Sequence, residues 1–210
     1  MARRHRETAQ EQAQQLRPQG SQAPVRRALT PPVEGPEVVR GPHPDDRFAP
    51  LTAEHAEVDR LLGELRSFVG TDEARVARWD RVATLLESHA RAEEWQLYPR
   101  LRRVVATRTL ARQALDQHVR IRELLHRIDA KQGDGPEYRA LLEELAGVVA
   151  AHVTLEEGTL MPLAVQALGK GRVDELVAAW VRERRKLEPA VADERVHRAP
   201  PVARARRPRT

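Results

Sequence analysis

The sequence predicts an all-α fold: an up-down-up-down four-helix bundle with an additional C-terminal helix and disordered N- and C-terminal tails. Helix-favouring residues dominate the composition, whereas aromatic residues make up only 3% of it. Apolar residues recur at spacings of three and four along four consecutive stretches with short connections between them. Each amphipathic helix has to bury its apolar stripe against a neighbour, so consecutive helices joined in this way favour an antiparallel bundle.

The first two helices are predicted at about residues 52–69 and 72–98. Thr52 is the expected N-cap of the first, whose inward stripe consists of Leu51, His55, Val58, Leu62, Leu65 and Val69. The second follows Thr71 and opens with two acids, which suit the positive end of a helix dipole. Its stripe consists of Trp79, Val82, Leu86, His89, Glu93 and Leu97.

The next two helices are predicted at about residues 108–130 and 137–161, separated by the sequence Gly-Asp-Gly-Pro. Their stripes consist of Ala111, Leu115, His118, Ile121, Leu125 and Ile128, and of Leu141, Leu145, Val148, His152, Glu156 and Thr159. A fifth helix at about 172–187 has Trp180 on its apolar face, and we expect it to cover the flank of the same chain. The pattern is compatible with a monomer or a homodimer.

The chain divides into a folded middle and two tails. Residues 1–50 contain 8 of the 15 prolines and no sustained apolar periodicity, so we interpret them as a disordered leader. The bundle is assigned to residues 51–168 and the additional helix to residues 172–190. Residues 195–210, rich in arginine and proline, are interpreted as a disordered basic tail.

The net charge of +5 belongs to the tails rather than to the predicted bundle. Residues 1–50 have eight Arg and six acids, and residues 195–210 have six Arg and no acid, which leaves −3 for the stretch between them. The basic tail could bind nucleic acid or another polyanion without sequence preference. No aromatic residue is interleaved with its arginines, so we expect a solubilising tail and no nucleic-acid partner.

The absence of cysteine excludes disulfides, thiolate metal sites and thiol nucleophiles, which leaves imidazole and carboxylate as metal ligands. No apolar run approaches the ~18 residues of a membrane span, and no apolar segment follows the basic N-terminus as in a signal peptide. We therefore expect a cytoplasmic protein without a membrane partner.

One helical hairpin occurs twice in the sequence. Residues 89–99 and 152–162 both read H-x-x-x-E-E-x-x-L-x-P. Residues 55–62 and 118–125 both read H-x-x-[VI]-x-x-L-L. The two copies of each motif lie 63 residues apart, so the repeat extends without a gap over two pairs of helices.

The repeat places six metal-binding side chains on the buried stripes: His55, His89, Glu93, His118, His152 and Glu156. Residues at i and i+4 share a helix face, so the His-x-x-x-Glu pair of each repeat can give one metal pair an imidazole and a bridging carboxylate. Burying six such groups is costly unless they are paired or bound to metal. The ligand set suits iron, manganese or zinc.

These motifs resemble the hemerythrin-like, HHE cation-binding family over roughly residues 51–168. The resemblance implies a non-haem centre of two iron ions that binds dioxygen, nitric oxide or iron itself. It also implies that Glu93 and Glu156 bridge the ions, and that His55, His89, His118 and His152 are terminal ligands.

The sequence departs from oxygen-carrying hemerythrins at Arg122, where their third helix offers a second histidine. A metal with one imidazole fewer keeps an open or water-filled position, which favours reactivity or sensing over reversible oxygen carriage. Glu94 is the first candidate to fill this position, and the others are Glu157, Glu54, Asp59 and Glu123, although we expect each of these acids to be a solvated residue on a helix face. Alternatively, Arg122 forms an ion pair with a bridging carboxylate.

Three further side chains near the motifs are expected to have structural roles or to lie at the surface. Trp95 and Tyr98 lie within about a turn of Glu93 and could act as radical sinks or gates, but we expect them to pack in the core. His126, two turns after His118, is expected at the surface or at the end of the bundle.

Two functions follow from these expectations. A binding or sensing module would register dioxygen, nitric oxide or iron supply at the open metal position. An enzyme would use the same centre to consume oxygen or peroxide. We favour the module, although the sequence does not separate it from the enzyme.

Overall fold

The computed structural model of the chain describes residues 46–131 and 135–198, and in these ranges it contains seven α-helices and no strand. The helices are α1 (Ala49–Arg66), α2 (Asp72–Gln96), α3 (Tyr98–Leu101), α4 (Arg108–Ala130), α5 (Pro136–Leu155), α6 (Met161–Leu168) and α7 (Lys170–Arg198). A 3-10 turn, Asp46–Phe48, precedes α1, and a π-helical turn, Glu156–Leu160, joins α5 to α6. The predicted all-α fold is confirmed.

Four long rods form the bundle: α1, α2, α4 and the continuous run of α5 and α6. Helix α1 packs against α2 and α5, and α4 packs along α5. The connection within each hairpin is short, which makes α1 with α2, and α4 with α5, antiparallel neighbours. Gly169, with a φ of 78°, adopts the left-handed backbone that ends α6, and the chain then returns as α7 along α2.

The core consists of two apolar clusters with a polar layer between them. One cluster contains Val58, Leu65, Trp79, Ile128 and Leu141 among others, and the second contains Leu51, Leu101, Leu160, Met161 and Trp180 among others. On α1, His55 lies between a residue of the second cluster and a residue of the first. The same order recurs on the other bundle helices, so the polar side chains share one level of the bundle.

Both copies of the H-x-x-x-E-E-x-x-L-x-P motif interrupt their helix. In the first copy α2 ends at Gln96, and α3 restarts with Pro99 in its first turn. In the second copy the π-helical turn intervenes before α6, which has Pro162 in its first turn. Proline cannot donate the i to i−4 hydrogen bond, so the chain starts a new helix where that donor is not needed.

The start of α1 differs from the prediction. Phe48, not Thr52, is the N-cap, and the Thr52 hydroxyl donates to the Ala49 carbonyl within the first turn. Residues 46–50, which we assigned to the leader, are therefore helical, whereas residues 1–45 lie outside the described residues. At the other end α1 stops at Arg66, and Val69, predicted on its stripe, is exposed.

Helix α7 is longer than predicted. It continues through Pro189 to Arg198, because Leu187, Val191 and Arg195 hold its second half against the bundle. Residues 195–198, which we assigned to the tail, thus belong to the fold, and residues 199–210 lie outside the described residues.

The continuous rod Pro136–Leu168 is long and apolar enough to cross a membrane by composition, with a mean hydropathy of 1.2 over an 18-residue window. We expected no apolar run near the length of a membrane span, and by this measure of mean hydropathy that expectation was wrong. Within the fold, 39% of this window is buried. Core helices of bundles meet the same criterion, so the hydropathy alone is weak evidence for a span.

Candidate metal centre

Four imidazoles, one from each bundle rod, converge in the polar layer. The Nε2 atoms of His55 and His89 are 3.1 Å apart, and those of His118 and His152 are 3.2 Å apart. Bonds from a first-row metal to imidazole are about 2.1 Å long, so neighbouring ligand atoms on one ion lie about 3 Å apart. Each hairpin therefore presents two imidazoles at the separation expected of ligands that share an ion.

Glu93, on α2, lies between the two imidazole pairs. Its Oε1 is 3.3 Å from Nε2 of His89, and its Oε2 is 3.3 Å from Nε2 of His118. One oxygen thus faces each hairpin. A carboxylate in this position can contribute one ligand atom to each of two ions.

Glu156, at the start of the π-helical turn, lies on the opposite side of the layer. Its Oε2 is 3.4 Å from Nε2 of His55 and 3.5 Å from Nε2 of His152. Its Oε1 accepts a hydrogen bond of 2.6 Å from the hydroxyl of Tyr98. Only one oxygen of Glu156 is therefore free to face both imidazole pairs.

The two carboxylates favour a bound cation. Glu93 is fully buried and Glu156 is 2% exposed, yet Glu93 Oε1 and Glu156 Oε2 have no hydrogen-bond partner. Buried, unpaired carboxylate oxygens are costly, so such atoms call for a bound ion. The donors form two groups that could each hold a metal ion: His55, His89, Glu93 and Glu156 in one, and Glu93, His118 and His152 in the other.

The protein alone compensates these charges with protons. Burial lowers the pKa of His89, but Glu93 and Glu54 outweigh it and raise that pKa to about 10. Burial raises the pKa of Glu93, but the neighbouring His89 and His118 hold it well below its usual value. For His152, burial prevails over the attraction of Glu156 and lowers the pKa to about 4. A bound cation would take the place of the proton on His89.

Each imidazole is oriented through its other nitrogen. In the first hairpin, Nδ1 of His55 lies 2.8 Å from an oxygen of Glu157, and Nδ1 of His89 lies 3.0 Å from an oxygen of Glu54. In the second hairpin, Nδ1 of His118 lies 3.0 Å from an oxygen of Glu94, and Nδ1 of His152 lies 3.2 Å from the amide oxygen of Gln117. An Nδ1–H that donates to these oxygens leaves the Nε2 lone pair facing the centre. All four histidines are thus set to bind through Nε2.

The four residues that contact the Nδ1 atoms are related by the internal repeat. Glu94 and Glu157 lie 63 residues apart, and so do Glu54 and Gln117. The sequence interpretation missed their common role because it treated the acids as solvated helix-face residues or as direct ligands. Two positions of the repeat indicated this role in the sequence: the residue directly before His55 and before His118, and the second glutamate of each Glu-Glu pair.

The structure corrects the hypothesis for Arg122. Its guanidinium donates to Glu94 at 2.5 Å, not to Glu93 or Glu156. Glu94 in turn accepts from Nδ1 of His118, so it orients an imidazole and does not fill the vacant ligand position. Glu123, another candidate for that position, is paired with Arg120.

The remaining motif side chains differ in burial. Tyr98 packs in the core as expected, and burial together with Glu156 and Glu93 raises the pKa of its phenol well above the usual value. Trp95, in contrast, is 56% exposed, so its predicted core packing was wrong. His126 lies at the surface, as predicted.

Helix α7 also contacts the centre. The indole of Trp180 packs edge-on against the ring of His89, with 5.1 Å between the centroids. One turn further, Nε of Arg184 donates to Glu54 at 2.9 Å, and Glu54 accepts from His89. Arg184 was not identified from the sequence, although its i+4 spacing from Trp180 placed it on the same buried face.

A small apolar cavity of about 20 Å³ adjoins the four imidazoles. Its other walls are formed by Val58, Leu86, Ala90, Ile121, Val149 and Val153. This volume accommodates about one water-sized molecule. The cavity therefore leaves room beside the imidazoles for only a very small molecule.

Comparison with known proteins gives one family and one relative. The sequence model described as the hemerythrin HHE cation binding domain matches residues 36–164. A DNA nickase from Nostoc sp. (strain PCC 7120) is 26% identical over 139 residues, which make up 66% of this chain but only 39% of that protein. No solved structure shows a significant match to the chain.

Proposed function

The chain belongs to the hemerythrin HHE cation-binding domain family, and from this premise we propose that its buried histidines and glutamates hold two non-haem iron ions that bind dioxygen or nitric oxide. The position of Glu93 is the observation that carries the proposal. With one carboxylate oxygen toward His89 and the other toward His118, it can belong to two metal positions at once.

The two positions would have unequal ligand sets. His55 and His89 would hold one ion together with Glu93 and Glu156. His118 and His152 would hold the other with Glu93. The second group is smaller, and among the described residues only the Oε2 atom of Glu156, 3.5 Å from Nε2 of His152, could add to it. The second ion is therefore the one expected to offer an open position to a small molecule.

The chain's own residues shape what can react there. Iron, when bound, supplies a redox-active and Lewis-acidic centre. The hydroxyl of Tyr98 stays protonated and keeps its proton directed at Glu156, which fixes that carboxylate beside the ions. The apolar cavity of about 20 Å³ beside the imidazoles suits a ligand of very few atoms better than a larger organic substrate.

Gas binding to the iron-loaded chain tests this proposal. The metal-free protein would be loaded with ferrous iron without oxygen and then exposed to dioxygen or nitric oxide, with absorption spectra recorded. We expect a spectral change that depends on His118. His118→Ala should abolish the change, and His126→Ala, an exposed histidine on the same helix, should leave it intact. An unchanged spectrum of the iron-loaded wild type with both gases would refute gas binding.

An oxygen- or peroxide-consuming enzyme is the alternative that uses the same residues. The open position and the missing fifth histidine support it as well as they support the module. Repeated turnover of peroxide or oxygen by the iron-loaded chain, lost in His118→Ala, would favour the enzyme. A stable adduct with slow autoxidation would favour the module.

DNA nicking is a second candidate function, favoured by the similarity to the Nostoc DNA nickase. The chain spans 39% of that relative, so the activity could depend on parts that this chain does not match. The test is conversion of supercoiled plasmid to open circles by the iron-loaded protein. Nicking by the wild type and its loss in His118→Ala would support the candidate. Equal nicking by both would attribute it to a contaminant.

A further inference from the structure

We propose that an exposed arginine surface at the turn between the two hairpins binds the phosphate backbone of DNA. The surface is defined by Arg100, Arg102, Arg103, Arg108 and Arg112, all of them exposed. If the chain nicks DNA, this surface would bind the substrate, and the proposal rests on the DNA-nicking function in this respect alone. The binding itself requires no metal.

Charge is segregated at this surface. Residues 98–112 contain five arginines and no acid, although the stretch from 51 to 194 has a net charge of −3. A concentrated positive patch on an otherwise acidic domain attracts polyanions locally. Random placement of surface charge would instead mix the two signs.

The five arginines also lack acidic partners. Among the described residues, several arginines elsewhere are matched by neighbouring carboxylates, for example Arg60 by Glu57, Arg120 by Glu123 and Arg66 by Glu143. Exposed Arg182 and Arg185 on α7 form no ion pair with a described residue either, but they do not lie in an acid-free stretch with three further arginines. Within the same described ranges, no member of the arginine surface forms an ion pair with an acid. Arg108 donates its Nε–H to the carbonyl of Arg102 at 3.2 Å, and its terminal nitrogens, like the guanidinium groups of the other four, are available to an external anion.

The start of α4 adds to the positive potential. Helix α4 begins at Arg108 and has no acid in its first turn, and its N-cap makes no side-chain cap hydrogen bond. Arginines at the positive end of a helix dipole are unfavourably placed. Helix α2, which opens with Asp72 and Glu73, shows the usual arrangement. A bound phosphate at the start of α4 would relieve the repulsion.

The backbone that carries the arginine surface is fixed. The hydroxyl of Thr107 donates to the carbonyl of Leu101 at 2.7 Å, and both residues are buried. The amide of Arg108 donates to the carbonyl of Val104 at 2.9 Å. A preorganised backbone lowers the entropy lost when an extended anion is bound.

The chemistry of the surface favours nucleic acid over a membrane. Guanidinium groups form bidentate hydrogen bonds with phosphate oxygens, and a spread of five along a turn and a helix suits a chain of phosphates. Membrane-surface segments also insert several large apolar or aromatic side chains. Within residues 98–112 the exposed large apolar residue is Val105 alone, which offers little to a bilayer.

The arginine surface lies next to the metal centre along the chain. Tyr98, two residues before its first arginine, donates its hydroxyl to Glu156. DNA held on the arginine surface would therefore lie against the end of the bundle from which Tyr98 reaches the centre.

The test measures binding of the full chain to random-sequence duplex DNA. Binding is monitored by the fluorescence anisotropy of labelled DNA in the presence of a chelator. The chelator separates binding from metal chemistry, so failure of the nicking candidate does not affect the result. The test variant is Arg102→Gln/Arg103→Gln/Arg108→Gln. The matched control, Arg60→Gln/Arg120→Gln/Arg66→Gln, removes the same charge from arginines that have acidic partners. Helicity is checked for each variant.

We expect the test variant to lose at least about 10-fold in affinity, and the slope of log affinity against log salt to fall by roughly 2 to 3, because three phosphate contacts disappear. The control should lose less than about threefold, and so should a chain lacking residues 199–210. The proposal is overturned if the wild type does not bind DNA, if test and control variants lose affinity equally, or if only the tail deletion abolishes binding. Binding to phosphatidylserine vesicles but not to DNA would overturn it too.

Discussion

Among the four imidazoles of the centre, one differs from the rest in the residue that contacts its Nδ1 atom. His55, His89 and His118 are held by carboxylates, whereas Gln117, a neutral amide, holds His152. A carboxylate partner makes an imidazole a more basic metal ligand, and such partners typically change metal affinity 10- to 100-fold. The ion beside His118 and His152 should therefore be bound more weakly than its neighbour.

Gln117→Glu should strengthen binding of this weaker ion by about 10-fold or more. The measurement is a metal titration of the apo protein in competition with a chelator, which resolves the two dissociation constants. Gln113→Glu adds the same charge on the exposed face one turn earlier and should change neither constant by more than about twofold. Equal effects of the two variants would show that the residue that contacts Nδ1 of His152 does not matter.

Tyr98→Phe keeps the buried ring and removes only the hydroxyl that contacts Glu156. Hydrogen bonds to a buried charged group contribute about 1.5 to 3 kcal/mol, so we expect the free energy of unfolding of the metal-free protein to fall by about 2 kcal/mol. Urea denaturation measures this change. A loss below about 0.5 kcal/mol would mean that Glu156 finds another partner when the hydroxyl is removed.

At the scale of elements, α7 is fastened to the bundle by buried charges as well as by apolar packing. Arg195 donates to Glu87 at 2.9 Å and to Asp129 at 2.8 Å, and its guanidinium lies over the ring of Trp79. Burial lowers the pKa of Arg195, but Asp129 and Glu87 outweigh it, so the side chain stays charged. This cluster explains why the helix continues beyond Pro189.

Arg195→Gln should destabilise the protein by up to about 3 kcal/mol, because it removes the buried partner that Glu87 and Asp129 share. Glu87 keeps Arg91 and Arg198, and Asp129 keeps the indole N–H of Trp79, so the loss stays below that of two unpaired acids. Thermal or urea unfolding of the metal-free chain gives this value. Arg185→Gln, an exposed position on the same helix, is the control and should have an effect within about 0.5 kcal/mol. If both variants unfold like the wild type, the end of α7 is not anchored by these ion pairs.

At the scale of the whole molecule, the repeat explains how much could be predicted. Two copies of each motif at one offset predicted the fold and brought six residues together, because each copy independently places polar groups on a buried stripe. The structure places all six in one layer. The resemblance then supplied the family, which the match over residues 36–164 confirms.

What could not be predicted depends on neighbours distant in sequence. The Nδ1 partner of His55 comes from the other hairpin, and the extension of α7 depends on acids of α2 and α4. The exposure of Trp95 is different, since it was predictable: a residue two positions after the inward-facing Glu93 lies on the opposite side of the helix. Helical phase, applied residue by residue, would have separated Trp95 from the core.

We expect one buried layer of four imidazoles and two carboxylates to hold a pair of ions. Iron content per folded chain, measured by mass spectrometry on protein reconstituted with ferrous iron, shows whether it does. The wild type should bind about two irons. Glu93→Gln should bind at most one iron, and Glu123→Gln, which changes an exposed acid, should bind two. Two irons in folded Glu93→Gln, or fewer than one in the wild type, would show that this layer does not hold a pair of ions with the help of Glu93.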